Sequence, residues 1–291
     1  MEHVKLSGGR TLEYLVFGPE TGVPLVLHHG TPASAVSYEP LVRACVDQGL
    51  RIVLPGRAGY GSSSPHPGRR VADVAADTAA MLDDIGAGIF VTAGWSGGGP
   101  HALACAALLP DRCRAVATIA GVAPYGAQGL DWLAGMGADN VEEFGAAVAG
   151  SAPLTAYLSE QAAGLTNVQA ADIVAAFGTL ISEVDRQALV GGFAEYLAAS
   201  FRHAIVNGIA GWHDDDLAFV ADWGFALTDI QVPVSLWQGD QDLMVPFSHG
   251  KWLAENIPTA TAHLLPGEGH LSLIDNFTTI ATTLRTQASA A

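Results

Sequence analysis

Basic side chains are scarce in this chain: 13 lysines and arginines stand against 29 aspartates and glutamates, a formal net charge of −16 over 291 residues. So acidic a protein repels polyphosphates and anionic lipid surfaces, which argues against nucleic acid as a partner. Long apolar runs are also missing. No stretch approaches the roughly 20 uncharged apolar residues that a membrane-crossing helix needs, and the start, Met1-Glu2-His3-Val4-Lys5, passes directly into the turn residues Ser7-Gly8-Gly9-Arg10 without the basic and apolar regions of a signal peptide. Cysteine is limited to Cys45, Cys105 and Cys113. An odd number, two of them within apolar helical patterns, reads as buried thiols rather than a disulfide or metal site. These absences predict a protein of the reducing cytoplasm with no membrane attachment.

What is abundant is apolar material: 49% of the residues are hydrophobic and 14% charged, enough for a large core. The first 120 residues alternate strand and helix signals. Strands are expected at 11–17, 24–28, 51–54, 89–93 and 114–119, and helices at 40–48, 73–84 and 96–109, a series that implies parallel strands joined by right-handed crossovers. From Gly121 to about Thr228 the pattern becomes alanine-rich and helical with no strand. This stretch holds 13 acidic and two basic residues, so 11 of the 16 net negative charges lie within it. Strand signals return at 233–237 and 260–265, with helices at 247–256 and from about 272. The reading is therefore a discontinuous α/β core of residues 1–120 and 229–291, interrupted by a helical lid of residues 121–228.

Residues 89–93 run directly into Gly94-Trp95-Ser96-Gly97-Gly98-Gly99-Pro100, and a helical pattern follows at once. This is G-x-S-x-G in the strand-turn-helix setting that gives it meaning. The serine sits on a strained turn at a helix N-terminus, where the dipole favours developing negative charge. Such a nucleophile needs a base and an orienting acid. Leu265-Pro266-Gly267-Glu268-Gly269-His270 places a histidine in a glycine-flanked loop after the last strand, and Asp240 and Asp242 both follow the strand ending at Trp237. The order Ser, Asp, His suits this arrangement, but position alone leaves the two aspartates as alternatives.

With these residues in view, the chain resembles the α/β-hydrolase fold superfamily, in the capped branch with esterases and related serine hydrolases. The supporting motifs are His29-Gly30-Thr31-Pro32, Gly59-Tyr60-Gly61-Ser62-Ser63, Gly94-Trp95-Ser96-Gly97-Gly98, Gly239-x-x-Asp242-x-x-Val245-Pro246 and Gly269-His270. The resemblance implies a mostly parallel sheet flanked by helices, with a helical cap inserted after the sixth strand. It also implies a catalytic set of Ser96, Asp242 and His270, an oxyanion hole of the Thr31 and Gly97 backbone N–H groups, and no metal or cofactor. It favours Asp242 over Asp240, because family members carry the acid three residues past the glycine and shortly before Val-Pro. Haloalkane dehalogenases and epoxide hydrolases of this fold carry Asp at the elbow, so Ser96 disfavours both activities.

The expected activity is cleavage of an ester-type bond in a small, lipophilic substrate through an acyl-enzyme on Ser96. The same residues would serve a lactone, a C–C bond, an amide or a peracid, and a ligand receptor with vestigial hydrolysis is the reading from another class. His28, His29 and His101 are read as scaffold residues. Asp214-Asp215-Asp216 is read as opening a helix, in N-cap and dipole roles. Of Trp132, Trp212, Trp223, Phe144, Phe177, Phe193 and Phe201, one or two are expected at the substrate and the rest between lid helices.

Overall fold

The computed structural model describes residues 1–290. Eight strands form one sheet: β1 (Glu2–Lys5), β2 (Thr11–Phe17), β3 (Val23–His28), β4 (Leu50–Gly56), β5 (Phe90–Trp95), β6 (Cys113–Ile119), β7 (Val234–Gly239) and β8 (Ala260–Leu265). Their order is β1-β2-β4-β3-β5-β6-β7-β8. β2 is antiparallel to β1 and β4, and every other pairing is parallel. The central strands are mostly apolar because both faces are covered. Successive β3 residues show this: Leu25 and Leu27 pack on one side of the sheet and Val26 on the other. β1 was not expected from sequence, since only Val4 of its four residues is buried.

Helices α1 (Glu39–Val46), α2 (Val74–Asp84) and α3 (Gly98–Leu108) join the early strands. The stretch between β6 and β7 supplies α4 (Ala138–Ala149), α5 (Ser151–Leu165), α6 (Ile173–Ala176), α7 (Glu183–Ala188), α8 (Gly192–Ala204) and α9 (Ala210–Phe219), with no strand among its residues. α10 (Phe247–Asn256) and α11 (Phe277–Ala290) follow. All three cysteines are buried free thiols, and burial pushes those of Cys45 and Cys105 up to about 12. No helix among the described residues is long and apolar enough to cross a membrane.

The helices between β6 and β7 are tied to the sheet by buried polar contacts. Asp215 on α9 is fully buried and accepts from Arg57 Nη2 at 2.5 Å, Arg69 Nη2 at 2.8 Å, Tyr60 Oη at 2.9 Å and Thr31 Oγ1 at 2.9 Å, with His101 Nε2 at 3.1 Å. Ser34 N donates to Ser200 Oγ, and His203 Nε2 lies 2.7 Å from Glu13 Oε1. The reading of Asp214-Asp215-Asp216 as a helix opening is thereby corrected. The three acids lie in the middle of α9, all buried, because the chain enters that helix four residues earlier, at Ala210; Asp215 turns toward Arg57 and Arg69, Asp214 lies beside His213 and Asp216 faces the cavity described below.

Burial alone would raise the Asp215 carboxyl. The charges of Arg57 and Arg69, with His101, outweigh it and hold the group well below the ordinary carboxylate range. Its contribution to stability is therefore present above the unfolded value of about 3.9 and is lost only as pH falls through the depressed folded value. Asp215→Ala would leave two buried guanidinium groups without a counter-charge, with an expected loss of about 3–5 kcal/mol. The urea midpoint measures it, and a midpoint equal to that of the parent chain would show that the network is not what anchors α9.

Candidate active site

β5 ends at Trp95 and α3 begins at Gly98, so the chain reverses within two residues. Ser96 absorbs the reversal with φ of 55°, in the left-handed region that a residue with a Cβ adopts at a cost of about 1–3 kcal/mol. Two hydrogen bonds fix it: Ser96 N donates to Ile119 O at 2.8 Å, and Gly99 N donates to Ser96 O at 2.9 Å. The turn also needs close backbone approach, since a Cβ on Gly98 would sit 2.1 Å from His28 O. In the run from β5 through the first turns of α3, Ser96 alone is not fully buried.

His270 and Asp242 come from the loops after β8 and β7. His270 Nδ1 lies 2.9 Å from Asp242 Oδ2. The Asp242 carboxylate also accepts from Met244 N and Val245 N, each at 2.8 Å, and from Gln238 Nε2 at 3.0 Å, so its orientation is fixed on both oxygens. Asp240 points elsewhere: it is exposed and accepts from Gly267 N at 2.8 Å. Burial disfavours the imidazolium of His270, but the charge of Asp242, the hydrogen bond to it and the nearby charge of Asp185 together raise its pKa above the ordinary histidine value.

Thr31 and Gly97 meet beside the turn. A Cβ built on Gly97 would lie 2.5 Å from Thr31 Oγ1, and that hydroxyl is held by Asp215 and Arg57. Among the described residues, neither backbone N–H bonds to another backbone group. Ser96, His270, Thr31 and Gly97 all line one cavity of about 450 Å³, and Asp242 stands behind His270. The cavity runs from the carboxyl ends of the strands to the helices between β6 and β7, which contribute Phe144, Phe177, Phe201 and Trp212 to its wall. Those are four of the seven aromatics singled out in the sequence; Trp132, Trp223 and Phe193 pack elsewhere.

His28, His29 and His101 are buried and kept neutral, chiefly by desolvation. His101, pushed down to about 4, bonds Asp215, and His29 Nδ1 lies 2.8 Å from Gly30 O. Two features had no signal in sequence. Asp216, one residue past Asp215, lines the cavity beside Glu143, and burial together with the charge of Glu143 raises its carboxyl well above the usual range. Asp185, in α7, reaches the His270 loop. In sequence both belong to an acidic, alanine-rich stretch that looks like solvated helix surface.

The family model described as "alpha/beta hydrolase fold" matches residues 23–277. A non-heme chloroperoxidase from Streptomyces lividans is 31% identical over 51% of this chain and 55% of that protein, so the match spans about half the length of that relative. A pimeloyl-[acyl-carrier protein] methyl ester esterase from Chromobacterium violaceum is 27% identical over 95% of this chain and 98% of its own. Among solved structures, a bromoperoxidase from Bacillus anthracis superimposes with a TM-score of 0.69 at 25% identity, covering 98% of this chain and 97% of that one.

The contacts of the two aspartates make separable predictions. In Asp242→Asn the imidazolium of His270 loses its main source of stabilisation, and its pKa, followed by NMR of the ring protons, falls. In Asp240→Asn, whose carboxylate bonds Gly267 N and Gln241 Nε2 and not His270, the His270 titration stays in place. A shift in the second variant and none in the first would reverse the assignment of the acid.

Proposed function

This chain belongs to the alpha/beta hydrolase fold family, and from that membership and the geometry of the cavity we propose that it is a serine hydrolase cleaving an ester-type bond of a small, lipophilic substrate. The observation that carries the reading is that a histidine bonded to a buried aspartate shares one cavity with a serine held on a strained turn. The Nδ1 bond to Asp242 fixes the imidazole so that Nε2 is the atom left to act as base.

In this mechanism His270 takes the Ser96 proton as Oγ adds to the substrate carbonyl. The carbonyl oxygen, now an alkoxide, receives the N–H groups of Thr31 and Gly97; losing one such donor typically costs about 2.7–4 kcal/mol of transition-state stabilisation. The proton passes from His270 to the leaving alcohol, and His270 then deprotonates a water that releases the acid and restores Ser96. Asp242 stabilises the imidazolium throughout. No step calls on a metal or cofactor. The helices of residues 121–228 act as the lid and set selectivity, and their aromatic wall suits an apolar acyl or alcohol group. The 27% identity to a methyl ester esterase along nearly the whole chain supports ester cleavage. The likeness to a chloroperoxidase favours a second reading, in which hydrogen peroxide replaces water at the acyl-enzyme and a peracid leaves.

Three outcomes are expected. Ser96→Ala removes turnover of an activated ester and keeps the unfolding midpoint, whereas residual steady turnover at about a tenth of the parent rate or more would place the nucleophile elsewhere. Since His270 must be neutral to act and its pKa is raised, the rate falls on acidification through a single ionisation above about 6.5; a flat profile between about pH 5 and 8 contradicts the assignment of the base. A panel of esters graded in acyl length, with lactones, amides and peroxide as acceptor, assigns the bond: hydrolysis of esters ahead of the others supports the first reading, and peroxide outcompeting water supports the second.

A further inference from the structure

Asp185 lies on the short helix α7, in the stretch between β6 and β7, and is fully buried. Its carboxylate reaches across to the loop after β8. Oδ1 accepts from Leu271 N at 2.7 Å and Ser272 N at 3.1 Å, and Oδ2 accepts from His270 N at 3.1 Å. Ser182 Oγ, one turn before it, donates to Oδ2 at 3.0 Å. Among the described residues no cation pairs with Asp185, so the buried carboxylate is held by neutral donors alone, one of them the backbone N–H of His270. Three successive backbone N–H groups at the start of the turn Ser272–Asn276 would otherwise have no acceptor, since they open a helical turn. The approach is close enough that a Cβ on Gly269 would lie 2.3 Å from Asp185 Oδ1. The segment just before α7 also forms cavity wall, through Phe177, Gly178 and Leu180.

We propose that Asp185 is a positioning residue for His270: it clamps the backbone of the base's loop, so that the reach of His270 depends on how the segment of residues 173–189 is seated over the cavity. The proposal rests on the reading of His270 as the base. A purely structural residue would alter stability or all kinetic constants together. Asp185 makes a narrower claim, because its charge favours the imidazolium and its hydrogen bonds fix the loop. A substrate that presses on Phe177 and Leu180 bears on the same segment that holds the base.

The test is Asp185→Asn in the full chain, with kcat, KM and the pH profile measured on a small activated ester and folding checked by circular dichroism. The expected result is a kcat lowered about ten- to hundredfold, KM little changed, and the acid limb moved to lower pH because one of the charges raising the His270 pKa is gone. Asp185→Glu, which keeps the charge and misplaces the oxygens, lowers kcat and leaves the limb where the parent has it. An Asp185→Asn enzyme that is folded, within about twofold of the parent in kcat and unshifted in its limb overturns the proposal. Should that variant fail to fold, Ser182→Ala, which removes one donor from the carboxylate, gives the decision: lowered kcat at constant KM supports the clamp, and unchanged kcat overturns it. A parent enzyme with no acid limb at all refutes the role of His270 itself, which separates the two failures.

Discussion

The reversal of the chain at Ser96 is the constraint on which the rest of the structure is arranged. A left-handed serine is unfavourable in isolation and persists only where its surroundings leave no alternative. Here the surroundings are the β5–α3 junction packed against the ends of β3 and β6: Ile119 O takes the Ser96 N–H, and the His28 carbonyl lies where a Cβ on Gly98 would be. The strands therefore serve as supports, and the loops at their carboxyl ends carry Thr31, Ser96 and His270 to one cavity, with Asp242 bonded to His270.

The second constraint is electrostatic. The helices between β6 and β7 hold most of the excess negative charge, and the acids that matter there are turned inward. Asp215 meets two arginines and holds α9 to the core; Asp185 meets three backbone N–H groups and holds the His270 loop; Asp216 and Glu143 face the cavity as a pair. Each is buried in a different setting: Asp215 among cations, Asp185 among peptide dipoles, and Asp216 beside Glu143, where burial and the neighbouring charge raise its carboxyl. The same network that docks α9 also holds the Thr31 hydroxyl, so the anchoring of these helices and the shape of the candidate oxyanion site are one structural problem.

The alternation of elements, the turn at Ser96 and the loop positions of Asp242 and His270 were legible because local sequence dictates them: largely apolar strands, a glycine-lined junction, a histidine between glycines and a helix. β1 was not, since a four-residue edge strand with one buried side chain carries no period. Nor were Asp185 and Asp215. Their partners, the amides of residues 270–272 and the guanidinium groups of Arg57 and Arg69, lie tens to more than a hundred positions away, and no pattern within an alanine-rich acidic stretch distinguishes an acid that faces water from one that faces a distant donor. The three acids of residues 214–216 illustrate the limit. As a local string they suit a helix start, and only the tertiary placement of α9 turns them toward the core.

The central claim is that bond cleavage passes through an acyl group on Ser96. Rapid acid quench of the parent enzyme with an activated ester, followed by peptide mass analysis, tests it most directly. The account predicts a peptide containing Ser96 heavier by the mass of the acyl group minus one hydrogen, formed at the rate of the initial alcohol burst. Alcohol release with no acylated peptide, or acylation at a residue other than Ser96, would contradict it.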